Sequence, residues 1–203
     1  MISGAEAGTL TNFLDGEYQS AGKIDLLAYR TNEAAYKPGT SLMSTKAGTA
    51  SGPPEVVPNV DDLTKPVGTR TAKVPRYYLL PPSLSGIAAK LRAHNIRVTT
   101  LDKPVRVEGE EFTTSRMHSV RRAGYDMTTL EGSFSSLITR EFPAGSFQVD
   151  MAQPMANAAF YYLEPQARDG FVGWGVMDEV LRTLGADKGP VVYPVFKARK
   201  IVP

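Results

Sequence analysis

Ile138, Arg140 and Phe142 alternate with period two, apolar at both ends and polar in the middle, and the apolar residues Phe147, Val149 and Met151 repeat the spacing. This spacing predicts two strands. Pro143-Ala144-Gly145 separates them. Proline presets φ at the second position of a turn and glycine suits the fourth, so the pair reads as a hairpin closed by a type I turn. The pattern then changes to helical spacing at Met155, Ala158, Ala159, Tyr162 and Leu163. Pro154 fits the first helical position, and Pro165 ends the helix because the residue before a proline avoids the α region. A second helical stripe follows in Phe171, Trp174, Met177, Val180, Leu181 and Leu184. Asp169 suits its N-cap and Gly185 its left-handed C-cap. Gly173 and Gly175 weaken its first turn by about 1 kcal/mol each.

Upstream the pattern is less regular. LTNFLDGEY in residues 1–22 reads as one or two helical turns. Residues 23–30, KIDLLAYR, read as a strand with apolar groups on both faces, which predicts cover on both sides. Residues 44–71 hold Gly48, Gly52, Pro53, Pro54, Pro58, Pro66 and Gly68 and no aromatic residue. Such a stretch buries little apolar surface against its ordering entropy and reads as an extended linker or surface wrap. Tyr77–Leu80 is a short buried strand broken by Pro81-Pro82. Ile87, Ala88 and Leu91 mark a helix, and Arg97–Leu101 a further strand, so the three form a βαβ-like unit. Val105–Thr114 alternates as one half-exposed strand with Gly109 as a candidate bulge. Ser115–Thr129 has no clean period. Val191–Val202 is a strand interrupted by Pro194, which predicts an edge position or a bulge. These elements predict an α+β fold: a mixed sheet with two or three helices, preceded by an extended β-containing N-terminal arm. The expected boundaries are 1–43 for the arm, 44–71 for the linker and 72–203 for the α+β domain.

Composition narrows the function. The chain has 203 residues and is 42% hydrophobic, enough for one sizeable core. A net charge of +2 argues against wholesale nucleic-acid binding. No apolar run reaches bilayer-spanning length, and Met1 is not followed by a basic region and an apolar stretch. Either the protein is cytoplasmic or a signal lies upstream. With no cysteine, disulfides and thiolate metal sites are excluded. His94 and His118 are the two histidines, and Arg97 and Arg121 stand three residues after them, so neither begins a His-x-x-Glu zinc motif. No nucleophile motif accompanies them. The expected catalytic and metal residues are therefore none. Arg116, Arg121 and Arg122 form a basic cluster and are candidate contacts for a phosphate, an acidic peptide or a carboxylate. Glu108, Glu110 and Glu111 read best as a charged outer strand face. Phe160, Tyr161 and Tyr162 cover about 200° of a helix, too wide for one core face. Tyr161, Tyr162 and Trp174 are thus the candidate interaction surface.

Certain motifs carry a resemblance. Leu80-Pro81, His94-Asn95-Ile96-Arg97-Val98, Pro143-Ala144-Gly145 through Val149 to Gln153, and Leu163-Glu164-Pro165 followed by Asp169-Gly170 and Trp174 occur in an order and spacing similar to the region after the catalytic domain of bacterial zinc carboxypeptidase-like proteins, in the carboxypeptidase A superfamily. Asn95 stands where that pattern has glycine. The similarity covers about 76–200. It implies a non-catalytic C-terminal accessory domain that packs against or positions a catalytic peptidase domain in cis. It also implies zinc in the parent catalytic domain and a secreted or periplasmic setting, while the residues themselves lead to the expectation of no cofactor in this chain and no nucleic-acid or membrane partner. The alternative from another class is a stand-alone carbohydrate- or peptide-binding module. An independent hydrolase is a third reading.

Overall fold

A computed structural model describes residues 2–30 and 51–203. Residues 31–50, and with them parts of the expected arm and linker, lie outside the described residues. The described chain forms two compact units, Met1–Asp15 with Gly68–Pro203, and Gly16–Val67.

The architecture corrects the α+β expectation. Among the described residues strands make up 48% and helices 17%, in four sheets with a few short helices, so the fold is β-rich. Stretches read as helical, irregular or linker account for the difference, and residues 51–73, read mostly as linker, carry β3 (Ser51–Asp61) and β4 (Lys65–Lys73). LTNFLDGEY is strand β1 (Thr11–Gln19), preceded by the short helix α1 (Ile2–Ala7). Ser115–Thr129 belongs to a long hairpin. The helix expected from Phe171 shrinks to six residues.

The larger unit is built on a six-stranded sheet. Its strands are β5 (Tyr77–Leu80), β6 (Thr99–Thr100), β7 (Val105–Glu110), β10 (Ile138–Phe142), β11 (Phe147–Asp150) and β13 (Phe196–Val202), in the order β10-β7-β13-β5-β11-β6. β10 and β11 are therefore not the expected hairpin: three strands stand between them. A flat sheet would put β10 and β11 about 19 Å apart, at about 4.8 Å per strand interval. The five residue steps from Phe142 to Phe147 reach at most about 18 Å when fully extended. They are not extended, because Ser146 N–H bonds to Pro143 C=O at 3.2 Å and Gly145 has φ of +83°. The sheet must curl. Inside the curl lie Leu79, Val107, Phe142, Phe196 and Ala198, with the Phe142 and Phe196 rings 5.6 Å apart.

The outer face carries the main core. Tyr78, Leu80, Phe147 and Val149 pack there with Ile87, Ala88 and Leu91 of α2 (Ser85–Ala93) and Ala159, Phe160 and Leu163 of α3 (Ala156–Leu163). Period-two alternation explains the division, since Leu79 points inward while its neighbours Tyr78 and Leu80 point outward. β5 and β6 both run antiparallel to β11 and hence parallel to each other. The βαβ unit is present, with β11 inserted between its strands. α2 stops at His94 and Asn95, whose φ of +60° places it in the left-handed region that asparagine tolerates.

The stretch Val105–Thr114 is two strands. β7 ends at Glu110, and β8 (Phe112–Arg122) leaves for a second sheet with β9 (Tyr125–Phe134) and β12 (Val191–Val192), in the order β12-β8-β9. Ala123 and Gly124 both have positive φ, the signature of a two-residue type I′ loop. Gly109 is not a bulge on its own strand. It lies opposite Ala198, where β13 carries the register shift, and a Cβ on it would approach the Lys197 carbonyl oxygen to 2.0 Å. Pro194 marks the point where the chain passes from β12 to β13, and β13 is central in its sheet rather than at an edge. α4 (Asp178–Thr183) is preceded by turns over 169–177, with Gly175 at φ +70°, and Gly185 at φ +87° follows it.

In the smaller unit β2 (Lys23–Arg30) pairs with β3 (Ser51–Asp61) as a two-stranded ribbon. The end where β2 begins and β3 finishes is tied by Lys23–Asp61 at 2.9 Å and by Ser20 Oγ to Asp61 at 3.2 Å. Asn59, at φ +59°, sits in a register shift and donates its N–H to Asp25. Among the described residues the expected cover of 23–30 on both sides is not seen: Leu27 is 70% and Val56 63% exposed. A further two-stranded sheet joins β1 to β4 (Lys65–Lys73).

Candidate functional site

The larger unit holds a buried charged centre. Lys197 on β13 lies opposite Glu110 on β7 and Tyr78 on β5, so three adjacent strands present a polar row on the helix-covered face. α3 supplies the carboxylate. Pro165 requires an extended Glu164, whose ψ is 129°, and this aims its side chain at the sheet. Glu164 Oε1 meets Lys197 Nζ at 2.6 Å and accepts a hydrogen bond from the Tyr78 hydroxyl at 2.5 Å. The Phe134 ring lies 4.4 Å from the ammonium, a cation–π contact. Glu164 is fully buried and Lys197 only 4% exposed. Burial pushes the Glu164 carboxyl above its usual range despite Lys197 and the Tyr78 hydrogen bond. Burial, with Glu164 beside it, likewise pushes the Tyr78 phenol up. Glu164 Oε2 and the Tyr193 hydroxyl are buried without hydrogen-bond partners among the described residues. This centre has the ingredients of acid–base chemistry but lies closed beneath α3. It fixes α3 to the sheet.

A cavity of about 420 Å³ is lined by Leu10, Val74, Met151 and Ala156 with Asn12 and Arg76 at its polar positions. Arg76 is already engaged. Its guanidinium is hydrogen-bonded to Asp150 through both carboxylate oxygens, lies 3.5 Å from Glu6 and sits over the Tyr77 ring at 4.3 Å. Burial pushes the Asp150 carboxyl up, but the Arg76 hydrogen bonds and the Ala152 amide more than offset this and hold it below the usual range. Gln153 is engaged too. It accepts the Arg97 N–H at 2.7 Å and donates to the carbonyls of Arg97 and Asp150. The cavity therefore offers apolar walls and amides rather than a free charge.

The candidate arginines do not form one cluster. Arg116 lies 3.6 Å from Glu131 and Arg121 3.1 Å from Asp126, both across the β8–β9 hairpin. Arg121 and Arg122 are strand neighbours and project to opposite faces. Arg122 lines a separate small pocket. The candidate aromatics also separate. Tyr162 is half-buried, stacked on Phe171 with centroids 4.8 Å apart, and its ring lies 4.9 Å from His94. Tyr161 is half-buried, and its phenol is pushed up chiefly by that burial. Trp174 is 54% exposed and meets Tyr125, itself 61% exposed, edge-on at 5.7 Å. Sequence reading did not single out Tyr125. A hydrogen bond from Thr128 N–H to Gly173 C=O at 3.1 Å brings the hairpin against the 169–177 turns.

His118 lies 3.6 Å from Glu131. Among the described residues no group of three or more His, Asp or Glu side chains is placed to hold a metal ion. No helix among them is long and apolar enough to cross a membrane.

No family model matches the sequence, and no solved structure matches it. Among curated proteins the chain is similar to Carboxypeptidase 2 of Trichophyton tonsurans and of Trichophyton equinum, each 32% identical over 111 residues, 53% of this chain and 20% of the relative. Carboxypeptidase 2 of Trichophyton rubrum is 32% identical over 117 residues, 56% of this chain and 21% of the relative. The relatives are fungal, so the bacterial setting is not supported. The similarity to these proteins thus extends over about half of this chain and about a fifth of each of them.

Proposed function

We propose that this chain is a non-catalytic C-terminal accessory domain of a zinc carboxypeptidase-like peptidase, packing against or positioning the catalytic domain in cis. The observation that carries this reading is the similarity to a stretch amounting to a fifth of the fungal carboxypeptidases. The closed Glu164–Lys197 centre supports it, because a group without access to solvent serves architecture better than turnover. The exposed Tyr125–Trp174 pair supports it as well: two large aromatics left outside a core are the usual anchors of a contact with another surface. An interdomain contact of the ordinary kind buries about 600–1,500 Å². The rival carbohydrate- or peptide-binding module rests on the same pair, but its edge-on rings do not make one flat stacking platform.

The test is a mass-spectrometric peptide assay. Purified chain is incubated with peptides ending in free phenylalanine, arginine or glutamate, with and without added zinc. The peptides are expected to stay intact. Stepwise loss of C-terminal residues, abolished by His118→Ala, would overturn the accessory-domain reading in favour of an independent hydrolase.

A further inference from the structure

Three arginines from three separate stretches of the larger unit line one small pocket: Arg70 on β4, Arg122 at the end of β8 and Arg168 after α3. Asp15, Thr129 and Gln166 line it with them. Arg168 is committed, at 2.8 Å from Asp15 and 3.2 Å from Asp169. Among the described residues no carboxylate pairs with Arg70 or Arg122, in contrast to Arg116 and Arg121 on the same hairpin. Gln166 is fixed, its amide donating to the Leu130 carbonyl at 3.1 Å.

We propose that this pocket is a carboxylate-binding site, with Arg70 and Arg122 as the two arms that hold the group. Like charges brought together from distant parts of a chain repel, and the excess here is relieved by an anion. Guanidinium forks match the planar carboxylate through paired hydrogen bonds. Asp15 at the wall disfavours a doubly charged ion such as phosphate and leaves a deficit suited to one negative charge. At about 80 Å³ the pocket is far below the roughly 300–1,000 Å³ of sites that enclose a whole small molecule. It therefore takes one functional group at the end of a larger ligand: an acidic side chain or a chain terminus of a polypeptide.

Titration calorimetry on the 203-residue chain in moderate salt tests this. The probes are acetyl-Ala-Glu-Ala-amide, acetyl-Ala-Ala-Ala with a free C-terminus, acetyl-Ala-Gln-Ala-amide and inorganic phosphate. One or both carboxylate peptides are expected to bind, the tighter one naming the source, and the glutamine peptide is expected not to. Arg122→Gln and Arg70→Gln should each weaken binding about tenfold, the usual loss for a charge-assisted hydrogen bond. Arg121→Gln, which faces Asp126, should leave it within about twofold. Circular dichroism shows whether each variant is folded. Absence of carboxylate binding by the wild-type chain, phosphate binding tighter than either peptide, or an equal loss in Arg121→Gln would overturn the proposal.

Discussion

Glu164→Ala is expected to lower the unfolding free energy by about 3–5 kcal/mol, the cost of breaking a buried ion pair by removing one partner. The variant leaves the Lys197 ammonium, 4% exposed, without its ion-pair partner, since Glu110 on the adjacent strand is engaged with Lys73 at 3.6 Å. It also takes away the acceptor of the buried Tyr78 hydroxyl. Urea unfolding followed by tryptophan fluorescence measures the change. The double variant Glu164→Leu with Lys197→Met should recover most of the loss, because apolar replacement of a whole buried pair is often neutral or stabilising. A loss below about 1 kcal/mol in Glu164→Ala would mean that water reaches the pair and that the centre is open rather than closed.

Phe112→Ala is expected to cost a further 3–5 kcal/mol or so by the same measurement, the usual range for a buried phenylalanine. Phe112 opens β8 where the chain changes sheets. It is fully buried, its ring meets Phe134 at 5.1 Å and Tyr193 at 6.4 Å, and its carbonyl accepts the Tyr193 N–H at 2.8 Å. The ring also occupies the space above Gly132, where an added Cβ would lie 2.7 Å from it. Alanine would empty this junction, whereas Phe112→Leu should cost under about 1.5 kcal/mol if the neighbours repack. Equal losses in the two variants would show that shape, not volume, governs the joint.

Much of the local structure was legible in the sequence. Pro81 and Pro165 punctuate elements as proline physics requires, whereas Pro154 lies two residues before the first helical residue, Ala156, and the apolar run Tyr77–Leu80 and the alternation in Phe147–Asp150 mark strands that the structure contains. Strand partners were not legible. Pro143-Ala144-Gly145 makes a turn, but its local chemistry is the same whether it closes a hairpin or carries the chain across a curled sheet. Ser115–Thr129 lacks a clean period because Ser115 falls in a register shift and both hairpin faces are partly open. Of the charged centre, Glu164 drew notice only as a residue beside a proline, and Tyr78 as an aromatic. Lys197, the one cation inside the apolar run from Val191 to Ala198, was the available signal. Its meaning depends on a carboxylate 33 positions away in sequence and brought near by the sheet. Tyr125 was hidden for the same reason, since Trp174 meets it only through the hairpin.

Amide hydrogen exchange tests whether this chain docks on a peptidase domain, comparing the purified 203-residue chain with the polypeptide that carries it in its native source. The native polypeptide is expected to be longer, with exchange slowed on it at 122–128 and 170–177, around Tyr125 and Trp174, while the core strands Tyr77–Leu80 and Phe147–Asp150 exchange alike in both. Identical exchange at the aromatic pair, or a native polypeptide no longer than this chain, would contradict an accessory domain docked on a peptidase.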